Sequence, residues 1–385
     1  MKIKVAFLTT DNRDMQRDYG TPVPHFGTAP EALLEGFKQR RELEVHVVSC
    51  ARVRMTSPQK LAPNIFFHSL FVPKIGWMRT GFQGCIRAVR KKLREIRPDL
   101  VHGHGTEHDC ALSAVFSGFP NVITIHGNMA ELARLFQERV GSYLWLAGRL
   151  ETFALKRTLG VLCNSAYTEQ LVRPRTRRVW RVAHALRQEF FAPAPVPTRH
   201  NRCRLVNLGL IAPRKRQLEL LKVAHELAQQ GLAFEFLFVG NIAPNHPYGN
   251  AFQESLKPLE KQGCARWIGT KTSLELVELF DAASGMVHFS PAESFGLAVA
   301  EGLARDLKLF AARVGGVVDI AEGVPGAELF HGEDWSGLTR ALARWIQSGF
   351  PRAHGAGQVM HTRYHPEVIV RRHLEVYREV ISQAG

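Results

Sequence analysis

The sequence predicts an α/β protein made of two doubly wound parallel-sheet units in tandem. Three observations predict it. First, a short apolar run (residues 3–9), a Gly/Pro-rich loop and an amphipathic helix follow one another near the start. The same strand–loop–helix order returns at 204–209, 210–213 and onward to about 230. Second, the remaining strand candidates are short and mainly apolar, as strands covered on both faces of a parallel sheet are. Third, Pro193, Pro195 and Pro197 make a stiff stretch between the two sets, suited to a domain boundary. The expected division is a first domain at 1–192, a linker at 193–201 and a second domain at 202–365. A length of 385 residues accommodates two domains, and a hydrophobic content of 45% supports two cores.

Each element can be justified in order. Residues 3–9 read as the first buried strand. The loop after it holds Gly20, Pro22, Pro24 and Gly27, and a helix from about Pro30 to Arg40 turns Leu33, Leu34 and Phe37 inward. Val45–Ser49 closes the first β–loop–α–β unit. A glycine in the loop of such a unit is where doubly wound folds hold phosphate, which makes Gly27 a candidate. Residues 82–97 alternate Arg87, Arg90, Lys91, Lys92, Arg94 and Arg97 with Ile86, Val89, Leu93 and Ile96. That is a basic amphipathic helix, able to serve as a solvated surface helix or to dock on an anionic membrane. Strands are expected at 99–105 and 121–127, the second ending in His126, followed by a helical region from about Met129 to Lys156. Gly160–Asn164 and Val179–Ala183 complete the first set.

The second set opens with the strand 204–209, ending in Gly209. Arg214, Lys215 and Arg216 stand at the start of the next helix. Cations there oppose the helix dipole, a conflict that a bound diphosphate would relieve. Phe234–Gly240, Ala265–Gly269 and Leu307–Ala311 are further strands, and Ser273–Ala282 is a helix. The run 285–304, GMVHFSPAESFGLAVAEGLA, reads as a strand, a turn at Ser290-Pro291 and an apolar helix entered at about Ser294. The helix-start amides of Phe295, Gly296 and Leu297 would lack intrahelical acceptors and suit an anion. Continuing the helical advance from Glu293 to Glu301 would place these acids roughly 80° apart. Two glutamates at this spacing are ordinary on a solvated helix, but Val299, Ala300, Leu303 and Ala304 surround Glu301 with apolar neighbours.

Composition narrows the chemistry. The net charge of +15 and a pI near 9.9 suit an acidic partner: nucleotide phosphates, anionic lipid or nucleic acid. No zinc-finger, RNA-recognition or helix-turn-helix signature supports nucleic acid. The six cysteines include no C-x-x-C pair, so neither a zinc site nor a disulfide framework is expected. The segment HGHGTEHD at 102–109 has Thr106 and Glu107 where a metallohydrolase would need Asp and His, so no metal is expected there either. No signal peptide or 18-residue apolar run is evident, and a cytoplasmic location is expected.

Residues 285–304 resemble the E-x7-E element of retaining glycosyltransferases of the GT-B fold, notably family 4. The same resemblance extends to the strand end D-L-V-H-G-H at 99–104, to T-I-H-G at 124–127 and to V-G-G-V-V-D at 314–319, where Asp319 replaces the usual Glu. It implies two Rossmann-like domains facing a cleft, with the C-terminal helix at 366–385 packing back on the first. It also implies transfer of a sugar from a nucleoside diphosphate sugar, with UDP or GDP the expected nucleotide, to a glycan or lipid-linked acceptor. By the resemblance, Glu293 and His126 would contact the donor sugar. Glu301 would bind the ribose, and Lys215 the diphosphate, helped by Arg214 or Arg216. Gly27, Gly209, Gly240, Ser294, Phe295, Gly296 and Leu297 would line the donor. The chain departs from the family at Leu210, where an Arg is usual, at Thr28 after a single Gly27, and at His184, where Asn is usual.

No D-x-D motif occurs to carry a divalent ion, so no metal or other cofactor is expected; fixed cations and helix-end amides would stabilise the leaving group instead. By the resemblance, the basic helix 82–97 would give a peripheral attachment to the inner face of the cytoplasmic membrane. Rival readings are a GT-B epimerase or hydrolase using the same donor, and a basic nucleic-acid-binding protein.

Overall fold

The computed structural model describes residues 2–193 and 202–384. The chain divides into two compact units, Met1–Ala185 with Pro366–Gly385, and Leu186–His365. Most of the expected linker, residues 194–201, lies outside the described residues.

The first unit is built on eight strands: β1 (Ile3–Leu8), β2 (Leu43–Ala51), β3 (Lys60–Ala62), β4 (Ile65–Phe71), β5 (Leu100–His104), β6 (Asn121–Ile125), β7 (Val161–Cys163) and β8 (Val179–Arg181). Their order is β3-β4-β2-β1-β5-β6-β7-β8. Every pairing is parallel except that of edge strand β3 with β4. The β3–β4 hairpin was not foreseen. Its Lys60-to-Phe71 stretch mixes Lys, Asn and Pro with apolar residues, as a half-exposed edge does and a central strand does not.

One helical expectation is corrected here and a second is narrowed. The region Met129–Lys156 is two helices, Met129–Leu135 and Tyr143–Leu155. Gln137 and Gly141 adopt positive φ (49° and 87°) between them, and the Ser142 side chain caps the second helix by accepting from Trp145 N. The helices then pack tightly: a methyl at Gly148 would lie 2.8 Å from Ala130 Cα. The basic helix runs over Gln83–Ile96, and its apolar side is not available to a membrane. Cys85, Ile86, Val89, Leu93 and Ile96 are buried with Leu8, Val48 and Val101 in the unit's core, so only the cationic face points outward. The C-terminal helix, Pro366–Ala384, packs on the helix Thr28–Lys38. A methyl on Gly36 would meet Val370 at 2.5 Å, and Tyr377 is fully buried.

The second unit carries β9 (Cys203–Leu208), β10 (Phe234–Val239), β11 (Ala265–Trp267), β12 (Gly285–His288), β13 (Lys308–Ala312) and β14 (Ala327–Phe330). All pairings are parallel in the order β11-β10-β9-β12-β13-β14. The order reverses between β9 and β12, and the carboxyl ends of strands at such a reversal are where open α/β sheets bind ligands. Phe234, Phe236, Phe238, Phe289 and Phe310 fill the core at under 2% exposure. The helix Ser273–Ala282 begins at a full capping box, Thr272 with Glu275.

Candidate active site

The strand ends of the second unit gather charge. Gly209 follows β9, and the short 3-10 turn Pro213–Lys215 precedes the helix Gln217–Gln229. Lys215 is 8% exposed, and its aliphatic stem lies on Gly209, with Cδ and Cε each 3.5 Å from where a Cβ would be. Gly240, after β10, cannot carry a side chain: a methyl there would lie 2.0 Å from the Gly209 carbonyl oxygen. These two glycines therefore let the β9 and β10 loop backbones touch beneath the lysine. From this position Lys215 Nζ donates to both carboxylate oxygens of Glu293, at 2.9 and 3.0 Å.

The pair is ionised. Burial pushes the Glu293 carboxyl up, but Lys215, then His288 and Arg214, bring it below the ordinary value. Burial lowers the Lys215 ammonium, against the attraction of Glu293. The cations at this turn were expected to wait for a diphosphate; the protein's own acids already answer two of them. Arg216, in a left-handed conformation at φ 54°, donates to the Gly332 carbonyl at 2.7 Å and to Glu333 at 2.5 Å and lies over Trp335. It is turned to a different partner from Lys215. Arg214 is exposed, and its charge acts on Lys215, Glu293 and His288. Leu210, where the resemblance would put an arginine, is 44% exposed.

The loop after β12 differs from expectation in one respect. The helix starts at Leu297, not near Ser294, and runs Leu297–Ala304 with Gly296 as its N-cap at φ 107°. Its first amides are those of Leu297, Ala298 and Val299, so Phe295 and Gly296 are not helical. Glu293 also precedes the helix, and the roughly 80° relation to Glu301 does not apply. The cause is Gly296: its positive φ breaks the helix that the apolar pattern would have carried back to Ser294. Residues 293–295 are instead held by the next glycine turn. Gly316 N donates to the Glu293 carbonyl at 2.9 Å, and a methyl on Gly316 would lie 2.5 Å from the Ser294 carbonyl oxygen. The Phe295 ring is buried edge-on to Tyr364.

Glu301 is 3% exposed and paired with Arg187, whose Nη2 donates to Oε1 at 3.0 Å. Burial still raises its pKa, with Arg187 opposing. Sequence reasoning missed Arg187, 114 residues away, and it missed His288. That imidazole, the last residue of β12, is 2% exposed, and its Nε2 has no hydrogen-bond partner among the described residues. It lies 4.0 Å from Glu293 Oε1.

In the first unit, His126 follows β6. Its Nε2 is 2.7 Å from His104 Nδ1, and its ring stacks on His184 at 4.9 Å. His184 Nε2 in turn lies 2.9 Å from Asn164 Nδ2. Behind them, His102 bonds Tyr377 Oη and Thr124 Oγ1, each at 2.7 Å. Burial lowers the pKa of His102, His104, His126 and His184, so the layer is neutral at pH 7. Gly27 is the N-cap of Thr28–Lys38 at an ordinary φ of −69°, and a methyl there would meet only the Pro30 ring at 3.7 Å. The loop before it is held by a residue the sequence did not single out. Arg13, 0% exposed, forks onto Asp11 and also donates to the Thr21, Pro22 and Thr56 carbonyls and to Ser57.

Spacing also hid a buried group in this unit: the ligand atoms of Cys50, Cys85 and Asp109 lie within 4.8 Å of one another. The Cys50 thiol is pushed up by Cys85 and burial, and the Asp109 carboxyl is pushed up by burial.

Both units, and the site at the strand ends of the second, define a GT-B protein. Residues 31–185 match the family model Glycosyltransferase Family 4, and residues 191–358 match Glycosyl transferases group 1. The chain is a glycosyltransferase. Among solved structures it is similar to a sucrose-phosphate synthase from Thermosynechococcus elongatus, at 15% identity and a TM-score of 0.74, covering 99% of this chain and 100% of that one. It is also similar to Anabaena HepE in complex with UDP and glucose, at 16% identity and a TM-score of 0.72, covering 98% and 100%. A third likeness is the lipopolysaccharide outer core galactosyltransferase WaaB, at 13% identity and a TM-score of 0.69, covering 100% of both. No curated protein matches the chain.

Proposed function

We propose that the chain is a retaining, metal-independent glycosyltransferase that takes a sugar from UDP or GDP and gives it to a glycan or lipid-linked acceptor. The observation that carries the reading is the Lys215–Glu293 pair, held over two close-packed glycine turns at the strand reversal of the second unit. Lys215 and exposed Arg214 meet the diphosphate and its developing charge, the task a divalent ion performs elsewhere. Glu293 accepts from the hydroxyls of the donor sugar. Glu301, oriented by Arg187, accepts from the ribose. His126, a neutral imidazole, is assigned to the donor sugar as the resemblance implies. Gly27, Ser294 to Leu297, Gly209 and Gly240 let backbone approach the ligand.

UDP-bound HepE and UDP-glucose-bound HepE among the similar structures support the choice of nucleotide. A lipopolysaccharide galactosyltransferase among them supports a glycan or glycolipid acceptor. No helix among the described residues is long and apolar enough to cross a membrane. Attachment to an anionic membrane would use the outward face of Gln83–Ile96, with Arg87, Arg90, Lys91 and Arg94, and would be electrostatic and salt-sensitive.

A thermal-shift panel of UDP-, GDP-, ADP- and dTDP-sugars, followed by turnover in EDTA, tests the proposal. A raised midpoint with one donor and full turnover in EDTA are expected. Turnover that requires magnesium or manganese would refute metal independence. Lys215→Ala is expected to lower kcat about a hundredfold; a variant retaining wild-type kcat would remove Lys215 from the mechanism.

A further inference from the structure

Glu293 and Lys215 form a closed pair, and donor binding as proposed above must open it. The ammonium lies within hydrogen-bond distance of both oxygens of one carboxylate, at 2.9 and 3.0 Å. Phosphate oxygens arriving at this turn compete for the same ammonium. A largely buried carboxylate that loses its cation is costly, because the charge stays in a poorly solvated place. The fold has placed one further donor beside it. His288 Nε2 is buried, unpartnered and 4.0 Å from Glu293 Oε1. A buried polar atom without a partner is rare enough to need a reason. Here the unsatisfied imidazole nitrogen faces a carboxylate whose present partner is the group a diphosphate would attract.

We infer that His288 is the relief partner of Glu293: when Lys215 turns to the phosphates of a bound nucleoside diphosphate, His288 Nε2–H donates to the Glu293 carboxylate and holds it for the donor sugar. This rests on the donor-site reading of the second unit. His288 is a positioning residue, acting on the sugar through Glu293. The charged groups facing it are Lys215, Arg214 and Glu293. Burial, then Lys215 and Arg214, hold the imidazole down at about 4, while Glu293 raises it. A diphosphate that draws off and neutralises the Lys215 charge removes part of that depression. Binding therefore raises the His288 pKa, and ligand affinity gains from acidification in a way that needs the imidazole.

The test is calorimetric titration of the full chain with UDP, GDP and inorganic pyrophosphate at pH 5 and pH 8, using wild type, His288→Gln and His288→Leu. His288→Leu is expected to weaken nucleotide binding about tenfold, and His288→Gln, which keeps an N–H, to recover most of that loss. The affinity ratio of wild type to His288→Gln is expected to rise as pH falls from 8 to 5, toward the imidazole's own range; the phosphates' own titration is common to both proteins and cancels. Equal affinities for all three proteins, or a ratio independent of pH, would overturn the inference while leaving the donor site standing. If wild type binds none of the three ligands, the donor-site reading itself falls. If His288→Leu does not fold, the pH ratio for His288→Gln decides alone.

Discussion

In the first unit, β5, β6 and β7 end in imidazoles, hydroxyls and an amide; in the second, β9 and β12 end beside a lysine, arginines and two glutamates. The same architecture thus buries polarity in two ways. Seven histidines of the first unit have lowered pKa values: His46, His68, His102, His104, His126, His184 and His373. In the second unit only His288 does, among the described residues. A neutral layer of ring nitrogens and hydroxyls exchanges hydrogen bonds with neutral partners such as sugar hydroxyls, at little electrostatic cost. Fixed charges with replaceable partners suit an anion. The difference teaches that sheet topology sets where a ligand binds, while the residues at the strand ends set which charge it carries.

Acid is the strongest way to break this comparison. A histidine whose folded pKa is depressed stabilises the protein while neutral. The unfolded chain binds protons below about 6.5, so stability falls as pH drops from there toward the folded values, about 4 for His68 and His373. With seven such groups the first unit is expected to lose several kcal/mol between pH 7 and pH 5. Hydrogen exchange at the two pH values checks it: protection in β1, β5 and β6 should fall far more than in β10 and β12. Equal loss in both units would end the contrast.

Removing one partner of a buried pair is the next largest effect. Arg187→Ala leaves Glu301 charged, 3% exposed and without its cation, which is expected to cost about 3 kcal/mol. The sign of its pH dependence is opposite to that of the histidines. Glu301 has a raised folded pKa, so its contribution is best at low pH and is lost as pH rises through that value. The Arg187→Ala deficit relative to wild type, measured by denaturant unfolding, should therefore shrink from pH 8 to pH 5. Adding Glu301→Gln should recover much of it at pH 8. In the first unit, Tyr377→Phe removes only a neutral hydroxyl from His102 and is expected to cost about 1–2 kcal/mol, independent of pH above 7. A Tyr377→Phe loss larger than that of Arg187→Ala would reverse the ranking of the two kinds of burial.

Much of this could be read from the sequence, but unevenly. Mainly apolar runs such as Phe234–Val239, interrupted only by Glu235, and Met286–Phe289, interrupted only by His288, announce buried parallel strands, and Thr272 with Glu275 announces a capped helix, because those signals are local. Lys215, Glu293 and Glu301 stand out by residue type and spacing. Their partners do not. Lys215 and Glu293 are 78 residues apart, Arg187 and Glu301 are 114, and His102 and Tyr377 are 275. Only the folded sheet brings them together, and no periodicity encodes it. The late helix start at Leu297 was hidden because Ser294 to Leu297 fit an apolar helix pattern, while the backbone at Gly296 obeys its own positive φ.

The smallest effect separates the three neighbouring cations of the second unit. Arg216 and Lys215 are adjacent in sequence, and Arg216 was one of the two arginines expected to help Lys215 with the diphosphate, yet the two cations answer to different acids. The Arg216 partner, Glu333, has a side chain 76% exposed, so that ion pair is solvent-screened and worth little. Arg216→Ala is expected to shift the melting temperature by no more than a degree or two and to leave kcat/KM within about threefold. Arg214→Ala, which removes an exposed charge acting on the Lys215–Glu293 pair, is expected to raise the KM for the donor about fivefold to tenfold with a smaller change in kcat. Steady-state kinetics of the two single variants decide between the cations. A larger loss from Arg216→Ala than from Arg214→Ala would mean that Arg216 leaves Glu333 when the nucleotide arrives, and that the exposed pair holds it in reserve for the phosphate.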